Sequence, residues 1–111
     1  GDHLPQDCHV VNEKGTVFRV QIKGTRTSVN EGNSRKIPRY RLSTGSGHKG
    51  KKVIDCNEVD IVVGYIAPLD IFYILPCEIL KGVTTWVYPG DPETKALTEK
   101  YRENWDVFKA A

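Results

Sequence analysis

The segment 7–23, Asp-Cys-His-Val-Val-Asn-Glu-Lys-Gly-Thr-Val-Phe-Arg-Val-Gln-Ile-Lys, limits what this chain can fold into more than any other. From Thr16 onward its residues alternate, with Val17, Arg19, Gln21 and Lys23 on one face and Phe18, Val20 and Ile22 on the other. A period of two, rich in β-branched and aromatic residues, is the signature of a strand. Val10 and Val11 lead into Asn12-Glu13-Lys14-Gly15, and Gly15 suits the left-handed position that closes a three-residue hairpin loop, 13–15. That loop sets a register in which Asn12 faces Thr16 and, counting outward, Asp7 faces Gln21. A loop shorter or longer by one residue turns Asp7 to the opposite face. Lys23 follows Gln21 on the same face, so a carboxylate, an amide oxygen and an ammonium converge on one patch.

The patch has a chemical reading. The Asp7 carboxylate, the Gln21 amide oxygen and the backbone carbonyl of Ile22 are hard ligands that suit Mg²⁺ (or Mn²⁺), which binds phosphate oxygens alongside few protein ligands. Such a metal lowers the pKa of a bound water and neutralises charge on a phosphodiester, and Lys23 orients that water or steadies the pentavalent transition state. The competing reading is a surface strand whose exposed face is simply polar.

The arrangement Pro5-Gln6-Asp7 followed by Gln21-Ile22-Lys23 resembles the PD-(D/E)XK nuclease superfamily. Within it the likeness is to the branch in which Gln replaces the acidic residue, as in some intron-encoded homing endonucleases and uncharacterised bacterial relatives. It extends over nearly the whole chain: segments 1–7, 19–23, 40–43, 59–65, 72–76 and 101–105 resemble successive blocks in shared order. The resemblance implies an α+β, restriction-endonuclease-like fold, a metal-dependent DNA endonuclease activity, and Asp7, Gln21 and Lys23 as catalytic residues. One departure stands out. Such nucleases usually open with a helix carrying a Glu that supports the metal site, and no Glu precedes Asp7 here. The expectation is therefore a domain lacking its N-terminal helix: a fragment, a subunit completed by another chain, or a nucleic-acid-binding module that has kept the fold without cutting.

The net charge of +2 hides a segregation: residues 1–13 sum to −3, residues 14–53 to +10 and residues 54–111 to −5. A basic segment joined to the candidate metal strand suits a polyanion, here DNA, against the plainer reading of solvated loops. Within it Arg26, Arg35, Lys36, Arg39, Arg41, Lys49, Lys51 and Lys52 are the candidate nucleic-acid contacts; the lysines grip phosphates rather than read bases. His48 lies in the same Gly/Lys-rich stretch and reads as solvated. Cys8, Cys56 and Cys77 are odd in number and widely spaced, which predicts reduced, mostly buried cysteines rather than a disulfide framework. A zinc site from Cys8, His9, Cys56 and Cys77 is the sharper alternative, but adjacent strand residues point to opposite faces. No run approaches the roughly 18 apolar residues that span a bilayer, and no secretory signal is present, so a cytoplasmic location and no membrane partner are expected.

The remaining chain reads as one domain, 1–111, with a mixed central sheet of about five or six strands. Residues 24–38 and 44–52 read as loops, and 55–59 as a turn capped by Asp55. Strands are predicted at 39–43, 60–65, 71–75 and 83–88, the second and third forming a hairpin. Asp60 is expected to make an ordering hydrogen bond to local backbone rather than assist a metal site. Pro76 starts a short helical turn. Leu97, Tyr101, Trp105 and Phe108 recur at helical spacing, which predicts a C-terminal helix over 93–107 with that stripe in the core; Trp86 and Trp105 are the candidates for stacking on bases. A homo-oligomer is compatible with all of this.

Overall fold

The computed structural model describes residues 6–29, 37–46 and 52–109. In chain order the strands are β1 (Cys8–Val11), β2 (Val17–Thr25), β3 (Ser28–Val29), β4 (Arg39–Ser43), β5 (Gly45–Ser46), β6 (Lys52–Val53), β7 (Ile61–Ile66), β8 (Ile71–Pro76) and β9 (Thr84–Val87). The main sheet has the order β1-β2-β7-β8. Its outer pairs are antiparallel and the central β2–β7 pair is parallel, which makes it a mixed sheet. A second sheet, β3-β4-β9, packs on one face of the first, and β5 pairs with β6 in a two-stranded ribbon.

The first hairpin has the register expected of its loop. Cys8 pairs with Val20, His9 with Arg19, Val10 with Phe18 and Val11 with Val17. Gly15 adopts φ 83° and donates its N–H to the Asn12 carbonyl at 3.0 Å, while the Asn12 side-chain oxygen accepts the N–H groups of Lys14 and Thr16, each at 2.9 Å. The predicted strands at 39–43, 60–65, 71–75 and 83–88 all form, within a residue or two at their ends. The turn before β7 is capped by Asp55, whose Oδ1 accepts the Asn57 N–H at 2.9 Å.

Alternation along β7 divides the core. Ile61 and Val63 join Val20 and Ile74 on one face, with Phe18, Phe72, Val107 and Phe108 packed against them. Val62 and Ile66 point the other way, into a larger cluster with Tyr40, Leu42, Tyr73, Leu75 and Val87 between the two sheets. At Gly64 the two sheets approach closely: a Cβ there would overlap Cδ1 of Leu42.

Among the described residues the central sheet has four strands, not the five or six expected, and four further expectations need correction. The C-terminal helical segment is not one helix over 93–107 but two 3₁₀ turns, Leu97–Tyr101 and Trp105–Lys109. Between them Glu103 turns left-handed (φ 50°), its N–H donates to the Phe72 carbonyl at 2.7 Å, and its Oε1 accepts the Phe72 N–H at 2.8 Å. Pairing with β8 outcompetes continued helix, and the stripe splits: Tyr101 packs on the inter-sheet cluster, Phe108 on the other, while Leu97 and Trp105 are exposed. Second, Ser28 and Val29, read as loop, pair with β4. Third, part of the 44–52 segment is the β5–β6 ribbon. Fourth, the cysteines are not all reduced and mostly buried: Cys56 and Cys77 form a disulfide, and Cys8 is free and exposed. The two bridged residues lie far apart in sequence, so spacing carried no sign of their meeting where the turn before β7 abuts the turn after β8.

Candidate active site

Arg19, Gln21 and Lys23 share one face of β2 by alternation, the face toward β4. Across the parallel pair, Gln21 lies beside Val62 and Lys23 beside Gly64. The missing side chain at Gly64 lets Leu42 approach the sheet, so β4 walls the patch on that side. On the other side β1 ends at Cys8, opposite Val20, and the expected pairing of Asp7 with Gln21 is not part of that register. Asp7 donates its N–H to the Val20 carbonyl at 2.8 Å, and its Oδ2 accepts the Ile22 N–H at 2.7 Å. The carboxylate thereby replaces a strand neighbour at the edge of β2.

These contacts bear on whether the residues suit a divalent cation. The N–H and C=O of one strand residue point to the same edge. The Ile22 carbonyl is therefore directed to the edge where Asp7 sits. Oδ2 of Asp7 is engaged, which leaves Oδ1. Oε1 of Gln21 is buried and has no hydrogen-bond partner, and an orphaned buried oxygen ordinarily finds a donor or an ion. Lys23 is half-buried and makes no ion pair among the described residues. The donor set is all oxygen and fits Mg²⁺ or Mn²⁺ in kind, though it brings a single carboxylate. Among the described residues no group of three or more His, Cys, Asp and Glu could hold a metal, and the bridge between Cys56 and Cys77 removes the basis for a zinc site with Cys8 and His9.

Asp60 has another task. Its Oδ2 accepts the Arg19 N–H at 2.7 Å and Nε at 3.0 Å, and its Oδ1 accepts Nη2 at 2.9 Å. The Asp60 N–H in turn donates to the Arg19 carbonyl at 2.9 Å. The hydrogen bond from Arg19 is the main reason the Asp60 carboxyl is held below its usual range, against partial desolvation. Arg19 Nη1 also donates to the Asn57 carbonyl. Asp60 thus orders backbone, though not the local backbone expected: it holds Arg19 of β2 across the parallel pair, through the backbone N–H and a bidentate guanidinium. Arg19 was not singled out in the sequence, although its place two residues before Gln21 on the same face was there to be read.

Of the candidate nucleic-acid contacts, Arg26 and Lys52 are exposed at the ends of β2 and β6. Arg41 is exposed and pairs across the sheet with Trp86. Arg39 lies with its guanidinium 3.8 Å from the Trp86 ring centroid, so one face of that indole is already covered. Arg35, Lys36, Lys49 and Lys51, and His48 with them, lie outside the described residues. Trp105 is exposed, donates Nε1–H to Glu103 at 3.0 Å and packs its ring near Phe72 and Phe108. No helix among the described residues is long and apolar enough to cross a membrane.

A family model described as PD-(D/E)XK endonuclease matches residues 1–108. A solved structure of a bacterial homing endonuclease superposes with a TM-score of 0.74 at 20% sequence identity, over 98% of this chain and 75% of that one. At that identity the likeness speaks for the fold. A search among curated protein sequences gave no match.

Proposed function

From the premise that the chain belongs to the PD-(D/E)XK endonuclease family, we propose that it is a Mg²⁺-dependent DNA endonuclease of the Gln-x-Lys branch, acting in the cytoplasm. The observation that supports this most is the junction of β1 and β2. There the Asp7 carboxylate is bonded to the Ile22 N–H, beside a buried Gln21 oxygen without a partner and a Lys23 ammonium that forms no ion pair among the described residues. When bound, a divalent cation supplies an activated water and neutralises phosphodiester charge. Asp7 Oδ1, Gln21 Oε1 and the Ile22 carbonyl are the atoms that would hold it. Lys23 donates hydrogen bonds to the attacking water or to the phosphoryl oxygens as negative charge builds on them. Arg26, Arg41 and Lys52, with Arg35, Lys36, Lys49 and Lys51, grip the DNA backbone, and Arg39 stiffens that surface through Trp86.

The test is nicking of supercoiled plasmid with and without Mg²⁺. Lys23→Ala is expected to lose activity by about 100-fold or more, the scale of removing one donor to a charged transition state. Equal nicking by variant and wild type excludes the role. One observation favours a second reading, a DNA-binding module that does not cut: the donor set has a single carboxylate, with one oxygen already engaged. Calorimetric titration with Mg²⁺ or Mn²⁺ separates the two, because DNA binding without metal binding leaves only the module.

A further inference from the structure

The Arg19–Asp60 clamp has a covalent neighbour. The Cys56–Cys77 disulfide ties the turn before β7 to the 3₁₀ turn Cys77–Ile79 after β8. Both segments end on the clamp. Asn57, next to Cys56, gives its carbonyl to Arg19 Nη1, and the Cys77 N–H donates to the Asp60 carbonyl at 2.9 Å. The clamp in turn fixes the start of the parallel β2–β7 pairing, two residues before Gln21 and four before Lys23. The two bridged residues differ in access: Cys56 is exposed and Cys77 is 2% exposed. Both line an open pocket of about 350 Å³ with Val59, Asp60 and Glu78.

We propose that the Cys56–Cys77 bridge is a redox-sensitive catch on the Arg19–Asp60 clamp, and that Arg19 and Asp60 are positioning residues which hold the Gln21–Lys23 segment of β2 in its working place. The agent is a dithiol. One of its thiolates attacks Cys56 Sγ, the S–S bond breaks, and Cys77 leaves as a thiolate that takes up a proton. The second thiol then displaces Cys56, which is protonated in turn; the dithiol ends as a disulfide and two electrons have passed to the protein. Disulfides in cytoplasmic proteins are usually transient or redox-sensing, which fits a bridge with one of its two residues at the surface. With the bridge open, the turn at 55–58 keeps only its hydrogen bonds and the buried Val59, so the Asn57 carbonyl and the Asp60 backbone move independently and the clamp loosens. The core strand β8, which precedes Cys77, is held by its own packing and stays closed.

The part of this proposal concerning activity rests on the nuclease reading; the part concerning the clamp does not. Amide hydrogen exchange of the full chain, in a Cys8→Ser background to remove the free thiol, is compared before and after reduction by dithiothreitol. Exchange across residues 19–23 is expected to quicken by about tenfold or more, with that of 71–75 unchanged, as local opening requires. The Cys56→Ser variant is expected to show the fast rate under both conditions. Plasmid nicking by the oxidised protein should exceed that by the reduced one, with half-saturation at lower Mg²⁺, and Asp60→Asn should resemble the reduced protein under both conditions. Equal exchange across 19–23 in the two redox states overturns the proposal, and so does a response to dithiothreitol that persists in Cys56→Ser. If that variant does not fold, the redox comparison in the parent protein decides alone. Absence of nicking in every form, with the exchange response intact, defeats the nuclease reading and leaves the catch standing.

Discussion

A single carboxylate, Asp60, shows how much one residue carries here. It takes three hydrogen bonds from Arg19 and gives one back through its own N–H. Because Arg19 holds the folded-state carboxyl below its usual range, the folded state binds this proton less readily than the unfolded chain. The stabilisation is therefore complete above the unfolded carboxyl pKa, at pH above about 4, and is lost as pH falls through the lower folded value. The pair is about one-third exposed on each side, so the effect is screened by salt. Thermal melting of wild type and Asp60→Asn in dilute buffer should show the wild type losing its advantage as pH drops below about 4. Parallel curves across that range would mean that the clamp contributes no pH-dependent stability. Gln21 is the opposite case at the same scale: its buried oxygen has no partner, which is a cost in the isolated chain.

At the scale of elements, the approach of β4 to β7 depends on the absence of one side chain. Leu42 is fully buried, and its Cδ1 occupies the space that a Cβ on Gly64 would need. Gly64→Ala should therefore cost about 1–3 kcal/mol by overpacking, read as a lower urea midpoint with unchanged slope. Combining it with Leu42→Val should recover part of that stability; no recovery would place the strain elsewhere. The strands were legible because period-two alternation is a local property, and the β1–β2 register because Gly15 at the left-handed position fixes the loop length. The elements that misled were those decided by distant partners. The stripe Leu97, Tyr101, Trp105 and Phe108 reads as a helix by itself, yet Glu103 bonds twice to Phe72 of β8 and breaks it into two turns. Ser28 and Val29 carry no strand signal of their own and become one only beside β4. The face that Gln21 shares with Lys23 was legible for the same local reason as the hairpin, whereas the Asp7 bond to the Ile22 N–H, the Arg19–Asp60 clamp and the Cys56–Cys77 bridge depend on pairings that no local pattern reports.

The whole molecule is a flattened body, 44 × 35 × 22 Å in extent, with its positive charge drawn from residues 14–53 and its negative charge from the two ends of the sequence. In the described part Arg26, Arg41 and Lys52 are exposed members of that basic segment, whereas Lys23 is half-buried beside Gly64. On the proposed function, grip and chemistry fall to different groups, and the two should respond differently to salt. Each neutralised phosphate releases condensed counterions, so affinity falls with log salt by about 0.9 per phosphate on duplex DNA. Binding of a fluorescent duplex, measured in EDTA so that no cleavage intervenes, should weaken steeply with salt in the wild type. The triple variant Arg26→Ala/Arg41→Ala/Lys52→Ala should bind more weakly, with a slope shallower by about 0.9 for each phosphate that the protein no longer neutralises. Lys23→Ala should keep the wild-type slope to within about one phosphate while failing to nick. A triple variant with an unchanged slope would show that DNA meets another face of the molecule. A Lys23→Ala variant that bound as weakly as the triple variant would make Lys23 one more grip on the backbone, not a group reserved for the reacting phosphodiester.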